Sequence, residues 1–97
     1  MNTTYSFDWD EDVAVEELLE TNVDDPSELV VYNDDVNTFD WVIQCFTEIL
    51  HHSLVQAEQL TLLVHFKGRA TVKTDSEKKL KPFKDALVDR GLSAVIE

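Results

Sequence analysis

The residues best suited to chemistry in this chain are the cluster Asn33-Asp34-Asp35 and the histidine His65. Carboxylate and amide oxygens accept hydrogen bonds, and a neutral imidazole nitrogen can accept one as well. An ammonium group has three donors and no acceptor, so these side chains could bind a primary amine, with about 1.5–3 kcal/mol for each charge-assisted bond. Spacing alone favours a simpler interpretation, in which the cluster is a turn with a helix cap and His65 is structural.

No motif for a nucleophile, a metal or a cofactor accompanies these residues. The chain has only two glycines, which argues against a phosphate-cradling loop. His51 and His52 are adjacent and lack partners at metal-ligand spacing. We therefore predict no catalytic residue, no metal and no cofactor. Two alternatives stay open: an acid–base or metal enzyme using Asp34, Asp35 and His65, and a small protein-docking module.

Composition indicates one small domain with an acidic extension. The 97 residues are 43% hydrophobic and carry a net charge of -12, which argues against nucleic acid or anionic membrane as a partner. Residues 1–27 hold nine acidic and no basic residues, and we expect them to be a flexible extension to a domain at 28–97. The chain has one cysteine, Cys45, which lies among apolar residues and is predicted to be buried. A single cysteine, together with the lack of a signal peptide or a long apolar span, predicts a cytoplasmic protein.

Periodicity predicts the element order β-α-α-β-α-β. The first helix should be capped by Thr38, the second by Ser53 in a capping box with Gln56, and Gly68 should end the second. The second helix is apolar on several sides, which predicts a central position. Asp75 or Ser76 should cap the third helix, with its regular part starting near Lys81 because of Pro82. The predicted strands are 28–32, 69–74 and 92–97, and the predicted helices run from Thr38 to about His52, from Ser53 to Gly68 and from about Lys81 to Gly91.

This order favours an α+β sandwich, with three helices packed on one face of a three-stranded antiparallel sheet. Three stretches resemble the ClpS family, the adaptors that deliver N-degron substrates to Clp ATP-dependent proteases. They are Val31-Tyr32-Asn33-Asp34-Asp35, Phe39-Asp40-Trp41-Val42, and the run from Ala57 to Gly68 that contains Val64-His65-Phe66-Lys67-Gly68. The closing stretch from Gly91 to Glu97 is similar as well. The similarity covers residues 28–97 in the family's order.

The resemblance implies a non-enzymatic adaptor and a role for each matching position. Asn33, Asp34 and His65 would bind the α-ammonium of the substrate's first residue, with Asp35 supporting the turn. The first residue would be Phe, Leu, Tyr or Trp, and Lys81 would help to dock the N-terminal domain of a ClpA- or ClpC-like unfoldase. The pocket for the first side chain and its rim would be formed by Asn37, Phe39, Val42, Thr61, Val64 and Leu92.

Two features depart from the family's pattern. The family often has Met where this chain has Phe39 and Thr61, so the depth of the pocket should differ. The segment between Gly68 and Gly91 is shorter than in better-known members, and this region includes surface expected to dock the unfoldase. In the family the N-terminal extension takes part in delivery, and the acidic residues 1–27 are compatible with that role.

Overall fold

The three strands form one antiparallel sheet with the order β2-β1-β3 in the computed structural model, which describes residues 25–97. The strands are β1 (Pro26–Tyr32), β2 (Arg69–Ser76) and β3 (Ser93–Ile96), and the helices are α1 (Phe39–Ile49), α2 (Leu54–Lys67) and α3 (Glu77–Asp89). The element order is β-α-α-β-α-β, so the predicted α+β fold is confirmed.

The sheet has β1 at its centre because both other strands pair with it. Val31 of β1 lies opposite Ala70 of β2 and Ala94 of β3, and small partners on both sides leave room for helices above. β1 begins at Pro26, two residues before its predicted start, and Pro26 pairs with Ser76 at the end of β2. Of the segment that we expect to be an acidic extension, residues 1–24 lie outside the described residues.

The sequence signals for the ends of the first two helices are confirmed. The Thr38 side chain accepts a hydrogen bond from the Trp41 N–H, and Ser53 and Gln56 form the complete capping box. Gly68 ends α2 with a φ of 91°, a left-handed conformation that glycine adopts without steric cost. α1 ends at Ile49, slightly before the predicted His51-His52, and His51 has a positive φ of 61° in the connection.

The third helix begins earlier than predicted. Ser76 caps α3 by accepting from the Lys79 N–H, and the helix continues through Pro82 from Glu77. Proline removes one backbone donor and crowds the preceding turn, which was the reason for expecting a start near Lys81. The first turn nevertheless forms because its cap is satisfied and Leu80 is completely buried. Tertiary packing therefore outweighs the local cost of Pro82.

The core lies between the sheet and the helices. Leu29 and Val31 supply the face of β1 that the helices cover, and Phe46, Leu80 and Leu87 from the helices are completely buried against the same core. Cys45 is buried there as predicted, and burial raises the pKa of its thiol. This arrangement places all three helices on one face of the sheet.

The prediction of a central second helix is wrong. α2 buries Ala57, Thr61 and Val64 on one side, whereas Val55 and Leu63 on its other side are 66% and 44% exposed. The apolar residues of α2 are spread around the helix, and only those on one side are buried. A high number of apolar residues therefore does not show that a helix is buried on all sides. No helix within residues 25–97 is long and apolar enough to span a bilayer.

We expect Leu80→Ala to lower the free energy of unfolding by about 2–5 kcal/mol, because it leaves a cavity in a closely packed core. Leu54→Ala is the matched control on another helix, since Leu54 is 61% exposed, and should change stability by less than about 0.5 kcal/mol. Urea unfolding of the two variants and the native chain measures both values. Equal losses in the two variants would contradict the early start of α3.

Candidate functional site

The cluster Asn33-Asp34-Asp35 forms the tight connection between β1 and α1. The backbone N–H of Asn33 donates to the Gly68 carbonyl at 2.9 Å, which joins this turn to the end of α2. Asp34 Oδ1 accepts the backbone N–H groups of Val36 and Asn37, each at 2.9 Å. Asp34 therefore has the structural role that its spacing indicates, because its side chain satisfies two donors of the turn.

The side chain of Asn37 connects this turn to the distant residue Gly91. Its Nδ2 donates to Asp34 Oδ2 at 2.9 Å and to the Gly91 carbonyl at 2.8 Å. Ser93, at the start of β3, also donates to Asp34 Oδ2 at a longer 3.5 Å. These bonds position the Asp34 carboxylate between the start of α1 and the chain that leads into β3.

Asp34 is held in its ionised form by these donors. Burial by itself would raise the pKa of this half-buried carboxyl, but the hydrogen bonds from Asn37, Val36 and Ser93 stabilise the charge and lower the pKa from its usual 3.8. Oδ2 accepts fewer close bonds than Oδ1, so it retains capacity for a further donor. A negative charge that can accept from a ligand is thus present throughout the neutral pH range.

A small open cleft lies beside Asp34. It encloses about 210 Å³ of empty space, part of which is open solvent. Its lining combines polar groups with aliphatic side chains. The lining residues are Val31, Tyr32, Asn33, Asp34, Asn37, Val42, Val64 and Leu92. A cleft with this lining offers a ligand an apolar surface with polar groups next to it.

Six of the nine residues that the resemblance assigns to the amine site and pocket line this cleft. Phe39 and His65 do not line the cleft, but their rings meet edge to face with centroids 6.4 Å apart. Phe39 is three residues before Val42 in α1, and His65 directly follows Val64 in α2. Thr61 is buried, and its hydroxyl donates to the Ala57 carbonyl at 2.7 Å. The Thr61 hydroxyl therefore has its own partner within α2.

The remaining candidate residues lie outside the cleft lining. Asp35 is exposed, and Lys81 is on the surface of α3, where it pairs with Asp85 at 3.1 Å. His52 Nε2 is 2.8 Å from the Val72 carbonyl, a structural contact at the start of α2. Within residues 25–97 no three His, Cys, Asp or Glu side chains are grouped to hold a metal ion.

Sequence reasoning missed two contributions to the site. Val31 and Tyr32 line the cleft, although we did not include them among the predicted site residues. Trp41 donates its indole N–H to the Arg90 carbonyl at 3.1 Å, so α1 holds the loop that carries Gly91. An indole N–H at a half-buried helix position needs a hydrogen-bond acceptor. This requirement could have predicted from the sequence that Trp41 bonds to another segment.

The fold and the cleft define a small α+β binding domain with an ionised carboxylate at the edge of an apolar recess. The family model described as "ATP-dependent Clp protease adaptor protein ClpS" matches residues 22–94. The chain therefore belongs to the ClpS family of adaptor proteins, which are not enzymes.

Curated relatives and a solved structure agree with this membership. The chain is 32% identical to a ClpS adapter protein of Corynebacterium diphtheriae over 91% of this chain and 76% of that protein. It is 33% identical to one of Nocardia farcinica over 90% of this chain and 81% of that protein. ClpS2 of Agrobacterium tumefaciens, solved bound to L-phenylalaninamide, has the same fold, with a TM-score of 0.63 and 19% identity over 74% of this chain and 94% of that one.

The lowered pKa of Asp34 predicts a pH-dependent contribution to stability. Folding favours the ionised form, so the contribution is present above the unfolded pKa of 3.8 and is lost as the pH falls through the lower folded pKa. We expect Asp34→Asn to be less stable than the native chain at about pH 7, and the difference to shrink at about pH 2. Urea unfolding at both pH values measures it.

Asp35→Asn is the matched control, because it removes the same formal charge from the neighbouring exposed residue. Its effect on stability should be smaller at about pH 7. An Asp34→Asn effect that is the same at both pH values would mean that the hydrogen bonds of Asp34 do not depend on its charge.

Proposed function

We propose that this chain is an adaptor that binds the free α-amino group and the bulky hydrophobic first residue of N-degron proteins and delivers them to a Clp unfoldase-protease. The observation that carries the proposal is the ionised Asp34 carboxylate beside a cleft with aliphatic walls. A protein N-terminus offers the matching pair of groups on one residue, since its ammonium is cationic and its side chain extends from the adjacent carbon.

In this proposal Asp34, Asn33 and His65 bind the α-ammonium. Asp34 Oδ2 retains acceptor capacity, and Asn33 lines the cleft next to it. The ring of His65 is exposed and lies against Phe39 and Phe66, and a neutral nitrogen there accepts a further bond. Asp35 supports the turn, and Asn37 orients the Asp34 carboxylate.

The first side chain occupies the recess formed by Val42, Val64 and Leu92. These three residues are 8%, 4% and 4% exposed, so they are rigid walls packed into the core. Burying one Leu or Phe side chain contributes about 1.5–3 kcal/mol, and three charge-assisted bonds to the ammonium, at about 1.5–3 kcal/mol each, add about 4.5–9 kcal/mol. The sum suits a reversible complex of micromolar affinity, about -8 kcal/mol.

Phe39 and Thr61 tune which first residues fit. Phe39 is 38% exposed beside His65, so its ring forms part of the rim. The Thr61 hydroxyl is satisfied by the Ala57 carbonyl, so it demands no polar partner from a ligand. Preference for an apolar Phe, Leu, Tyr or Trp is therefore compatible with both departures from the family's pattern.

The ligand of a structural neighbour supports this proposal. L-Phenylalaninamide, bound in the A. tumefaciens ClpS2 structure, carries a free α-amine and a benzyl side chain. These are the two groups of an N-terminal phenylalanine.

We expect a peptide with a free N-terminal Phe to bind with micromolar affinity and its N-acetylated twin to bind at least about 100-fold more weakly. Acetylation removes the charge that binds Asp34, and two lost charge-assisted bonds cost about 3–6 kcal/mol. Isothermal titration or fluorescence anisotropy with the full chain measures both affinities.

Asp34→Asn should reduce the affinity for the free peptide, whereas Asp35→Asn should leave it nearly unchanged. The two variants remove one carboxylate charge each, from adjacent residues of the same turn. Equal binding of the free and acetylated peptides would refute recognition of the amine.

The partner in delivery is the N-terminal domain of a ClpA- or ClpC-like unfoldase, and Lys81 lies on the surface that docks it. We also predict that the protein is cytoplasmic. We expect Lys81→Glu to weaken binding to this domain about threefold to tenfold, because an exposed ion pair contributes up to about 1 kcal/mol and reversal adds repulsion. Peptide affinity should not change.

Lys67→Glu is the control for this measurement, since it makes the same charge change at an exposed position near the end of α2. Surface plasmon resonance with the immobilised unfoldase domain compares the two variants. A larger effect of Lys67→Glu would place the docking surface elsewhere.

A further inference from the structure

The side of α2 that faces away from the core carries a largely apolar stripe. Val55, Gln59, Leu62 and Phe66 are exposed, and they follow one another at intervals of four, three and four residues. This spacing aligns their side chains along the helix, on the side opposite the residues that α2 buries. Val55 and Phe66, at its two ends, are 66% and 74% exposed. We call these four residues the outer stripe.

Much of the exposed apolar surface of the domain is on this helix. Within residues 25–97, five of the nine large hydrophobic side chains that are exposed belong to α2. They are Leu54, Val55, Leu62, Leu63 and Phe66. Contiguous apolar patches of this kind mark interaction surfaces in soluble proteins. Intervals of four and three residues are those of helices that pair side by side, so a helix is the partner that fits the outer stripe.

The two ends of the outer stripe are complementary to each other. Phe66 projects at the C-terminal end, where its ring meets that of His65 with centroids 4.9 Å apart. At the N-terminal end, an open groove lies between α2 and β2. Its lining residues are His52, Val55, Gln56, Gln59, Leu60 and Val72. A second copy of α2 placed antiparallel pairs position 55 with 66 and position 59 with 62, so each Phe66 lies over Val55 and the groove of the other copy.

The charges of α2 also suit a second copy. α2 contains one acidic residue, Glu58, and one lysine, Lys67, so it is close to neutral in a chain whose net charge is -12. Glu58 and His65 flank the outer stripe on the same side, and antiparallel pairing brings Glu58 of each copy to His65 of the other, where an imidazole N–H donates to the carboxylate. Asp40 of α1 and Asp75 of β2, the elements that pack beside α2, add some repulsion between the copies.

We propose that this chain forms a dimer with twofold symmetry, in which the outer stripes of two α2 helices pack antiparallel. A twofold axis between positions 59 and 62 brings both pairs of complementary ends together at once. α2 has 14 residues and is about 21 Å long, and one pair of such helices buries less than the roughly 800 Å² per partner of a standard interface. We therefore expect a reversible dimer with a Kd of about 10–1,000 µM. The proposal does not depend on the proposed function.

Sedimentation equilibrium of the full chain tests the dimer. Between about 10 µM and 1 mM, the average mass should rise from that of the monomer towards that of the dimer. Val55→Ser and Phe66→Ser should each weaken the dimer at least about tenfold, because each substitution removes apolar contacts at both ends of a symmetric interface. Both side chains are exposed in the single chain, so the fold should not change. A monomer at every concentration would overturn the proposal.

Leu54→Ser is the matched control, because Leu54 precedes Val55 directly and is 61% exposed but lies outside the outer stripe. It should change the Kd by less than about twofold. Weakening by Leu54→Ser equal to that by Val55→Ser would overturn the proposal, since the association would then be unspecific.

Cysteine cross-linking tests the orientation of the two helices, since the native Cys45 is buried. Mild oxidation of a mixture of Gln59→Cys and Leu62→Cys chains should give mainly the mixed disulfide-linked dimer, because these positions face each other. Val55→Cys alone should give little linked dimer, because its two copies lie at opposite ends of the interface. Efficient self-linking of Val55→Cys would show a parallel pair and overturn the antiparallel packing.

Discussion

The hydrogen bonds made by the Asn37 amide are the interaction on which the site depends. One NH₂ group joins the Asp34 carboxylate to the Gly91 carbonyl, two residues that are far apart in sequence. Gly91 has a φ of 93° and is followed by the buried Leu92, one wall of the cleft. This bridge links the carboxylate directly to the chain that carries the wall, in addition to the pairing of Tyr32 with Ser93 in the sheet.

The same carboxylate serves the fold and the proposed ligand. Asp34 Oδ1 satisfies two backbone donors of the turn, and those bonds help to keep the pKa of the carboxyl low. A carboxylate oriented in this way loses little conformational freedom when an ammonium group binds, so less of the binding free energy is spent on ordering. Oδ1 of Asp34 therefore serves the turn, and Oδ2 of the same side chain is the atom available to the proposed amine ligand.

Rigidity of the cleft follows from its position at the edge of the core. Val42 and Val64 belong to the core cluster and also line the recess, so a ligand would contact the domain's own packing. Thr38 and Trp41 fix the start of α1, the first through its cap and the second through its bond to the Arg90 carbonyl. The stability of the domain and the shape of the cleft are thus coupled, because loosening α1 would move both the wall and the loop opposite it.

Local signals in the sequence determined the element order, the caps at Thr38, Ser53 and Ser76, and the stop at Gly68, because each depends on residues within one turn of the chain. Six of the residues that the similarity to ClpS assigns to the site line one cleft, and spacing alone could not distinguish a turn from a binding site. Only the tertiary structure decided that α2 exposes its extra apolar residues, that Leu80 fixes the start of α3 despite Pro82, and that Asn37 reaches Gly91. Each of these outcomes depends on contacts between segments distant in sequence, and a periodic pattern holds no information about which distant partner a side chain will meet.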